Sequence, residues 1–351
     1  MPNYNNNASR SLQSRRNRKA NLVILVLGIL LVVLGILSFL IGRYPISPDK
    51  TVGMLVNLLF PIDPFWTAQE QTIFFNVRLP RVVLAMLVGC SLASAGAAYQ
   101  GTFQNPLVSP DILGASQGAA FGAAVAILLG FASFGISTLA FIMAIGTVLL
   151  VVAVAQAARG NQVLTVVLAG VMVSSLLSAG VSFTKLIADP ADQLPAITYW
   201  LMGSLTGAKP ADISLAIGPM VVGLVTLFVL RWRINILTMG DDEASTMGVN
   251  TKVLRLVIIL AATLITAASV AVTGMIGWVG LVIPHLSRML IGSDYRKLMP
   301  CSMLMGAAFL LLVDDVSRLA TTAEIPIGIL TAFIGAPFFL YLITREGRKG
   351  R

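Results

Sequence analysis

The sequence predicts an all-α polytopic membrane protein of about ten transmembrane helices, and three observations carry that prediction. Hydrophobic residues fill 57% of the 351 positions and charged residues only 11%, less than half of the roughly 25% found in soluble globular domains. The mean hydropathy is +0.88. The apolar residues also gather in runs of about 20, the length that crosses a hydrocarbon layer as a helix. Together these exclude a soluble enzyme, a secreted disulfide scaffold and a disordered linker.

The first run, residues 22–41, follows a basic leader over 1–20 that holds Arg10, Arg15, Arg16, Arg18 and Lys19. It lacks a small-x-small cleavage site and reads as a retained anchor. Further runs fall at 82–101, 112–132, 136–158, 163–187, 212–230, 253–273, 276–292, 298–313 and 325–343. The run 276–292 is the weakest, because it contains Pro284, His285 and Arg288. A piece at 194–205 carrying Tyr199 and Trp200 is too short to span. It reads as an interfacial or re-entrant half-helix with its aromatic pair near the headgroups. The membrane unit thus covers 21–345, with its longest inside loop near 234–252 and a basic tail at 346–351.

Ten spans put both basic ends on the same side, and the positive-inside rule makes that side the cytoplasm. Of 24 Lys and Arg, 17 then fall inside, including Arg159 and the terminal Arg345, Arg348, Lys349 and Arg351. Seven fall outside: Arg43, Lys50, Arg78, Arg81, Lys185, Lys209 and Arg318. Nine acids share the outside, among them Asp314, Asp315 and Glu324, so that face is near neutral. The formal charge of +9 therefore reads as membrane orientation against lipid, with no nucleic-acid partner. Cys90 and Cys301 lie in apolar runs and read as buried thiols.

Small residues recur four apart: Gly89, Ala93, Ala97 and Gly101, then Gly114, Gly118, Gly122, Ala126 and Gly130. Such faces let helix backbones approach closely, or line a pathway, a reading kept open by Gln100, Gln104, Asn105, Ser116 and Gln117 nearby. Spans two and seven each follow an arginine, run through small residues and end in a Gly- and Pro-punctuated stretch. They cross in opposite directions, as in an inverted five-plus-five repeat. No P-loop or G-x-S-x-G elbow occurs, and the lone histidine offers no metal cluster or catalytic pair. Paired intramembrane acids of the kind that relay protons or sodium are also lacking. The chain reads as a non-enzyme with no catalytic residue, no metal site and no cofactor, driven by an energy source outside itself.

Three stretches stand out. Val77-Arg78-Leu79-Pro80-Arg81 places proline in the first turn of a helix and leaves two arginines at the outer rim, as interfacial anchors or as a docking point for an acidic partner. Gly240-Asp241-Asp242-Glu243-Ala244-Ser245-Thr246-Met247-Gly248 reads as a short inside helix, acidic at its start and glycine-capped at its end. It either packs or inserts into a groove of another protein. Gly280-Leu281-Val282-Ile283-Pro284-His285 places proline where it would break a membrane helix. Asn105-Pro106, Ile325-Pro326 and Ala336-Pro337 read the same way. A lone membrane histidine such as His285 reads first as hydrogen-bonded to a neighbouring helix.

The ordered set of RLPR at 78–81, QNPL at 104–107, PDILG at 110–114, GDDEASTMGV at 240–249, GLVIPHLSR at 280–288, and IPIG with GAP over 325–337 resembles the permease subunits of large-type ABC importers for iron-siderophores, haem and vitamin B12. The resemblance runs from the first span to the C-terminus; Met247 and Ile325 stand where that family usually has leucine. It implies ten helices in the cell membrane, a second permease subunit (a copy or a paralogue), a cytoplasmic ATPase dimer, and a solute-binding protein outside. It further implies that Arg78, Arg81 and Arg318 dock the binding protein, that Gly240, Glu243, Ala244, Met247 and Gly248 couple to the ATPase, and that Asn105, Pro106, Ser116, Pro284 and His285 lie toward the pathway. An iron-siderophore is the expected cargo, with vitamin B12 or haem as alternatives. A gradient-driven secondary transporter is the rival class.

Overall fold

The computed structural model describes residues 3–158 and 162–349. Arg159 and Arg351 lie outside the described residues, as do the side chains of Arg10, Arg345, Arg348 and Lys349. In chain order the helices are α1 (Asn3–Leu40), α2 (Pro48–Asn57), α3 (Ala68–Ile73), α4 (Leu79–Thr102), α5 (Ala115–Leu128), α6 (Ser133–Ala157), α7 (Gln162–Ile187), α8 (Gln193–Met202), α9 (Pro210–Leu237), α10 (Asp241–Thr246), α11 (Thr251–Thr273), α12 (Val279–Ile291), α13 (Tyr295–Leu319) and α14 (Ile327–Lys349). Seven helical stretches are long and apolar enough to cross a membrane, and α5, α12 and α14 are shorter apolar helices. These coincide with the ten expected runs, and α8 with the expected half-helix.

Two boundaries move. The leader is continuous with the first span, since α1 begins at Asn3. The second span begins at Ala68 rather than near residue 82, because a π turn over Phe74–Arg78 joins α3 to α4. Its start is fixed by a capping box: Thr67 Oγ1 accepts from Glu70 N–H, and Thr67 N–H donates to Glu70 Oε2, satisfying donors that a helix start leaves unpaired. Glu70 also pairs with Lys50 of α2 at 2.8 Å. Neither α2 nor α3 was expected, because both are too short for a hydropathy signal.

Burial sorts the long helices. The most apolar window of α4 is 78% buried and that of α11 72%, against 17% for α1 and α7. The two central helices are thus the spans likened as a repeat. Each is followed by a break with a left-handed non-glycine residue, Gln104 after α4 and Trp278 after α11. The small-residue faces serve helix packing. A Cβ on Gly89 would lie 2.2 Å from the Gly306 carbonyl oxygen of α13, and one on Gly101 2.4 Å from Ile234 Cγ2 of α9; beside that face, one on Gly96 would lie 1.8 Å from the Gly280 carbonyl oxygen of α12. Gly118 and Gly122 meet Thr147, Met143 and Leu139 of α6 in the same way. Of the thiols, Cys301 is buried and Cys90 only partly so.

Pro284 does not break its helix: α12 runs through it, and the break falls earlier, between Gly274 and Trp278. The physical reason is a replacement donor. A proline at 284 leaves the carbonyl four residues back, that of Gly280, without its helical partner. Gln100 Nε2 of α4 donates to that carbonyl at 3.4 Å and to Val108 O at 3.3 Å. Pro337 is likewise inside α14.

Candidate functional site

Contacts sort by membrane side as the charge count requires, giving one polar cluster at each end of the bundle. At the outer end α13 continues past residue 313, so Asp314, Asp315 and Arg318 share its last turns. Arg81, in the first turn of α4, donates through Nε to Asp314 Oδ1 at 2.9 Å and through Nη1 to Glu324 Oε2 at 2.8 Å. Arg318 lies 3.2 Å from Asp314 Oδ2, donates to Ser38 Oγ of α1 at 2.7 Å and pairs with Asp315. Arg78 donates to the carbonyls of Phe39, at 2.6 Å, and Tyr44. Three arginines and three carboxylates make a neutral set that ties α1, α4 and α13 together. Buried charges survive only when paired in this way.

The three arginines expected to dock a binding protein, Arg78, Arg81 and Arg318, thus share one largely buried cluster. They are 4%, 6% and 7% exposed, and their guanidinium groups face the chain's own acids and carbonyls. The signal was present in the sequence: Asp314 and Asp315 stand four and three residues before Arg318, the spacing of helix neighbours. Exposed at this rim are Arg43, which donates to Thr321 O at 3.1 Å, and Thr206, which donates to Glu324 Oε2 at 2.6 Å. Partial burial pushes the Glu324 carboxyl upward, but the Thr206 hydroxyl and Arg81 outweigh it and hold the group below its ordinary value.

At the inner end the segment over 240–248 folds as read. Gly240 (φ 118°) and Gly248 (φ 78°) bracket α10. Gly248 N–H donates to Ser245 O at 3.0 Å and Val249 N–H to Ala244 O at 3.2 Å, the paired bonds of a glycine-terminated helix end. Ala244 is buried, Glu243 is exposed, and Met239 and Met247 stand out at 60% and 58% exposure. Asp241 pairs with Arg255 of α11 at 2.9 Å, and Gln104 Nε2 donates to Leu237 O at 2.7 Å. The result is a short element anchored to the bundle at its start and glycine-capped at its end, with apolar tips turned outward.

The five expected pathway residues are not brought together. Asn105 is exposed and lines a cavity of about 470 Å3 under α10 with Gln104, Gly240, Asp241 and Arg255; Pro106, beside it, is exposed. Ser116, bonded to Asp111, lines a separate cavity of about 430 Å3 with Gln117, Ser174, Ser175 and Met275. Pro284 is buried toward α4, and the His285 ring lies 6.5 Å from that of Phe338 in α14. Gln100 is the polar residue that sequence reasoning underused: besides its carbonyl partners it accepts from Arg288.

Comparison with known proteins agrees with this architecture. The FecCD transport family pattern matches residues 30–345. A molybdate import system permease protein of Haemophilus influenzae is 41% identical over 92% of this chain and 96% of its own length. An Fe(3+)-citrate import system permease protein of Bacillus subtilis is 35% identical over 96% of this chain and 98% of its own. An inward-facing ABC transporter structure of the metal-chelate type is similar with a TM-score of 0.82 and 40% identity, over 92% of this chain and 99% of that one.

Proposed function

The chain belongs to the FecCD transport family as a multi-pass membrane permease subunit, and from that premise we propose that it forms half of the path of an ATP-driven importer for an iron-siderophore complex. A solute-binding protein delivers cargo outside, an ATPase dimer works inside, and a second permease, a copy or a paralogue, completes the path. The observation that carries the reading is α10. It is a fixed inside knob with exposed Met239 and Met247 in a chain without a P-loop, and exposed methionines suit an adaptable protein contact. Glu243 and Met247 form its coupling surface, Gly240 and Gly248 bound it, and buried Ala244 seats it against the bundle.

Outside, the binding protein's carboxylates meet the rim where Arg81 holds Glu324, and replace Glu324 as its partner. Arg78 and Arg318 hold α1 in register behind that point. Arg81→Glu lowers docking affinity at least tenfold in a binding-protein titration and weakens its salt dependence; unchanged docking leaves the arginines as internal struts only.

An iron chelate is supported by the ferric citrate relative and the metal-chelate neighbour. A second reading, molybdate, is favoured by the Haemophilus relative at 41% identity. The deciding experiment is co-purification from the native membrane, followed by titration of the recovered binding protein with ferric siderophore, molybdate, haem and cobalamin. Recovery of a P-loop ATPase together with siderophore binding is the expected result. Solute movement by the chain alone, without ATP, would overturn the importer reading.

A further inference from the structure

We propose that the inner end of α1 is a binding face for anionic phospholipid, with Arg15, Arg18 and Lys19 on the headgroup phosphate and the apolar side chains above them along an acyl chain. The face is read from one helix. Because the leader and the first span are both part of α1, each side chain has a fixed height and bearing about one axis. At 3.6 residues per turn, Arg15, Arg18 and Lys19 fall within about 100° of arc. The apolar residues Leu22, Leu25, Val26, Ile29, Val33 and Ile36 continue the same stripe at steps of three and four. All six are between 44% and 59% exposed.

The opposite stripe is held by protein. Ala20, Val23, Ile24 and Leu27 pack against Ile291 of α12 and Cys301 and Met305 of α13. One turn before Ala20, Arg16 lies over Gly292, where a Cβ would run into its guanidinium group. Lys297 Nζ donates to Asn21 Oδ1 at 2.5 Å. These contacts fix the rotation of α1, so the three cations and the apolar stripe turn together to the uncovered side. The most apolar window of α1 is only 17% buried, which is the surface a multi-pass membrane protein gives to lipid.

The heights agree with a lipid. Lys19 and Arg18 lie about 5 and 6 Å beyond Leu22 along the axis, inside a headgroup layer of roughly 5–8 Å. Arg15 lies about 10 Å out, at the aqueous edge of that layer and within one Debye length of its phosphates. An arginine fork gives a phosphate two parallel donors, and a lysine adds a point charge. No acid opposes them from the same helix, since the first in the chain is Asp49. None of the three is in an ion pair among the described residues. Asp294, in the turn packed against α1, already accepts from Asn235 Nδ2 at 2.7 Å and from Arg296 N–H at 3.0 Å. Membrane orientation counts charges on one side and is indifferent to the helix face they occupy. A lipid site is not, and the alignment of the cations with the lipid-facing stripe is what carries the proposal.

The test is native mass spectrometry of the full chain in detergent, titrated with phosphatidylglycerol or with phosphatidylcholine, and repeated on the assembled transporter. Phosphatidylglycerol should be retained in preference in both. Arg18→Gln and Lys19→Gln, at exposed positions, should each lower that retention about fivefold, the worth of one cation at an anionic surface. Arg16→Gln removes the same charge from the protein-facing stripe and should leave retention nearly unchanged. Equal retention of the two lipids overturns the proposal. So does an equal loss with Arg16→Gln and Arg18→Gln, because net charge alone would then account for binding. Displacement of the bound lipid by millimolar inorganic phosphate overturns it in favour of a soluble-anion site, and loss of the lipid on assembly overturns it in favour of a partner protein.

Discussion

Single residues decide two features of this bundle. Gln100 replaces the backbone donor that Pro284 lacks and at the same time accepts from Arg288. Gln100→Leu would leave the Gly280 carbonyl and the half-buried Arg288 guanidinium short of partners, at about 1–3 kcal/mol each. The expected outcome is a lower melting temperature in detergent, with Pro284→Ala partly restoring it because the helix regains its own donor. No rescue would remove the link between the two residues. Gly248 is the second case. Its φ of 78° suits glycine, and a side chain there costs about 1–2 kcal/mol. Nothing lies within 4 Å of where its Cβ would be, so the penalty is conformational and not a clash. Gly248→Val should therefore insert into the membrane normally while stimulation of the ATPase by the permease falls severalfold. Wild-type stimulation would separate α10 from coupling.

At the scale of elements, the outer cluster holds three helices through paired charges. Glu324 sits in the loop before α14, and its carboxyl lies below the ordinary glutamate value. A depressed carboxyl contributes stability above its ordinary value and loses it as pH falls through the folded value. Thermal melts should thus fall on acidification, and Glu324→Gln should flatten that acid limb while lowering stability at neutral pH. An unchanged acid limb would place the titration elsewhere. The ten spans were legible because a span needs about 20 apolar residues, a pattern that neighbours cannot hide. The glycine-ended α10 was legible for a similar reason, since its signals are local. The ion pairing of Arg81 with Asp314 and Glu324 was not, because those residues are more than 200 positions apart and only the packing of α4 against α13 brings them together. The persistence of α12 through Pro284 was hidden likewise, since its substitute donor comes from α4.

At the scale of the whole molecule, one long helix has a composition at odds with a lipid-facing position. Helix α7 is 17% buried in its most apolar window, yet its exposed residues include Ser175, Ser178 and Ser182. Ser175 and Ser182 donate back to the carbonyls of Val171 and Ser178 at 2.9 and 3.0 Å, which satisfies the hydroxyls without a neighbouring helix. Ser174 and Ser175 border the cavity that also holds Asp111, Ser116 and Gln117. A polar stripe running from such a cavity along an otherwise uncovered helix is what a water-filled path between two permeases requires. With Cys90 and Cys301 replaced by alanine, Ser178→Cys in the assembled transporter should react with a membrane-impermeant maleimide. Val154→Cys on α6, equally uncovered in the single chain, should not. Modification of both at the same rate would mean that the maleimide reports exposure alone. Protection of Ser178→Cys together with Val154→Cys would turn α7 toward lipid and move the path to another face of the bundle.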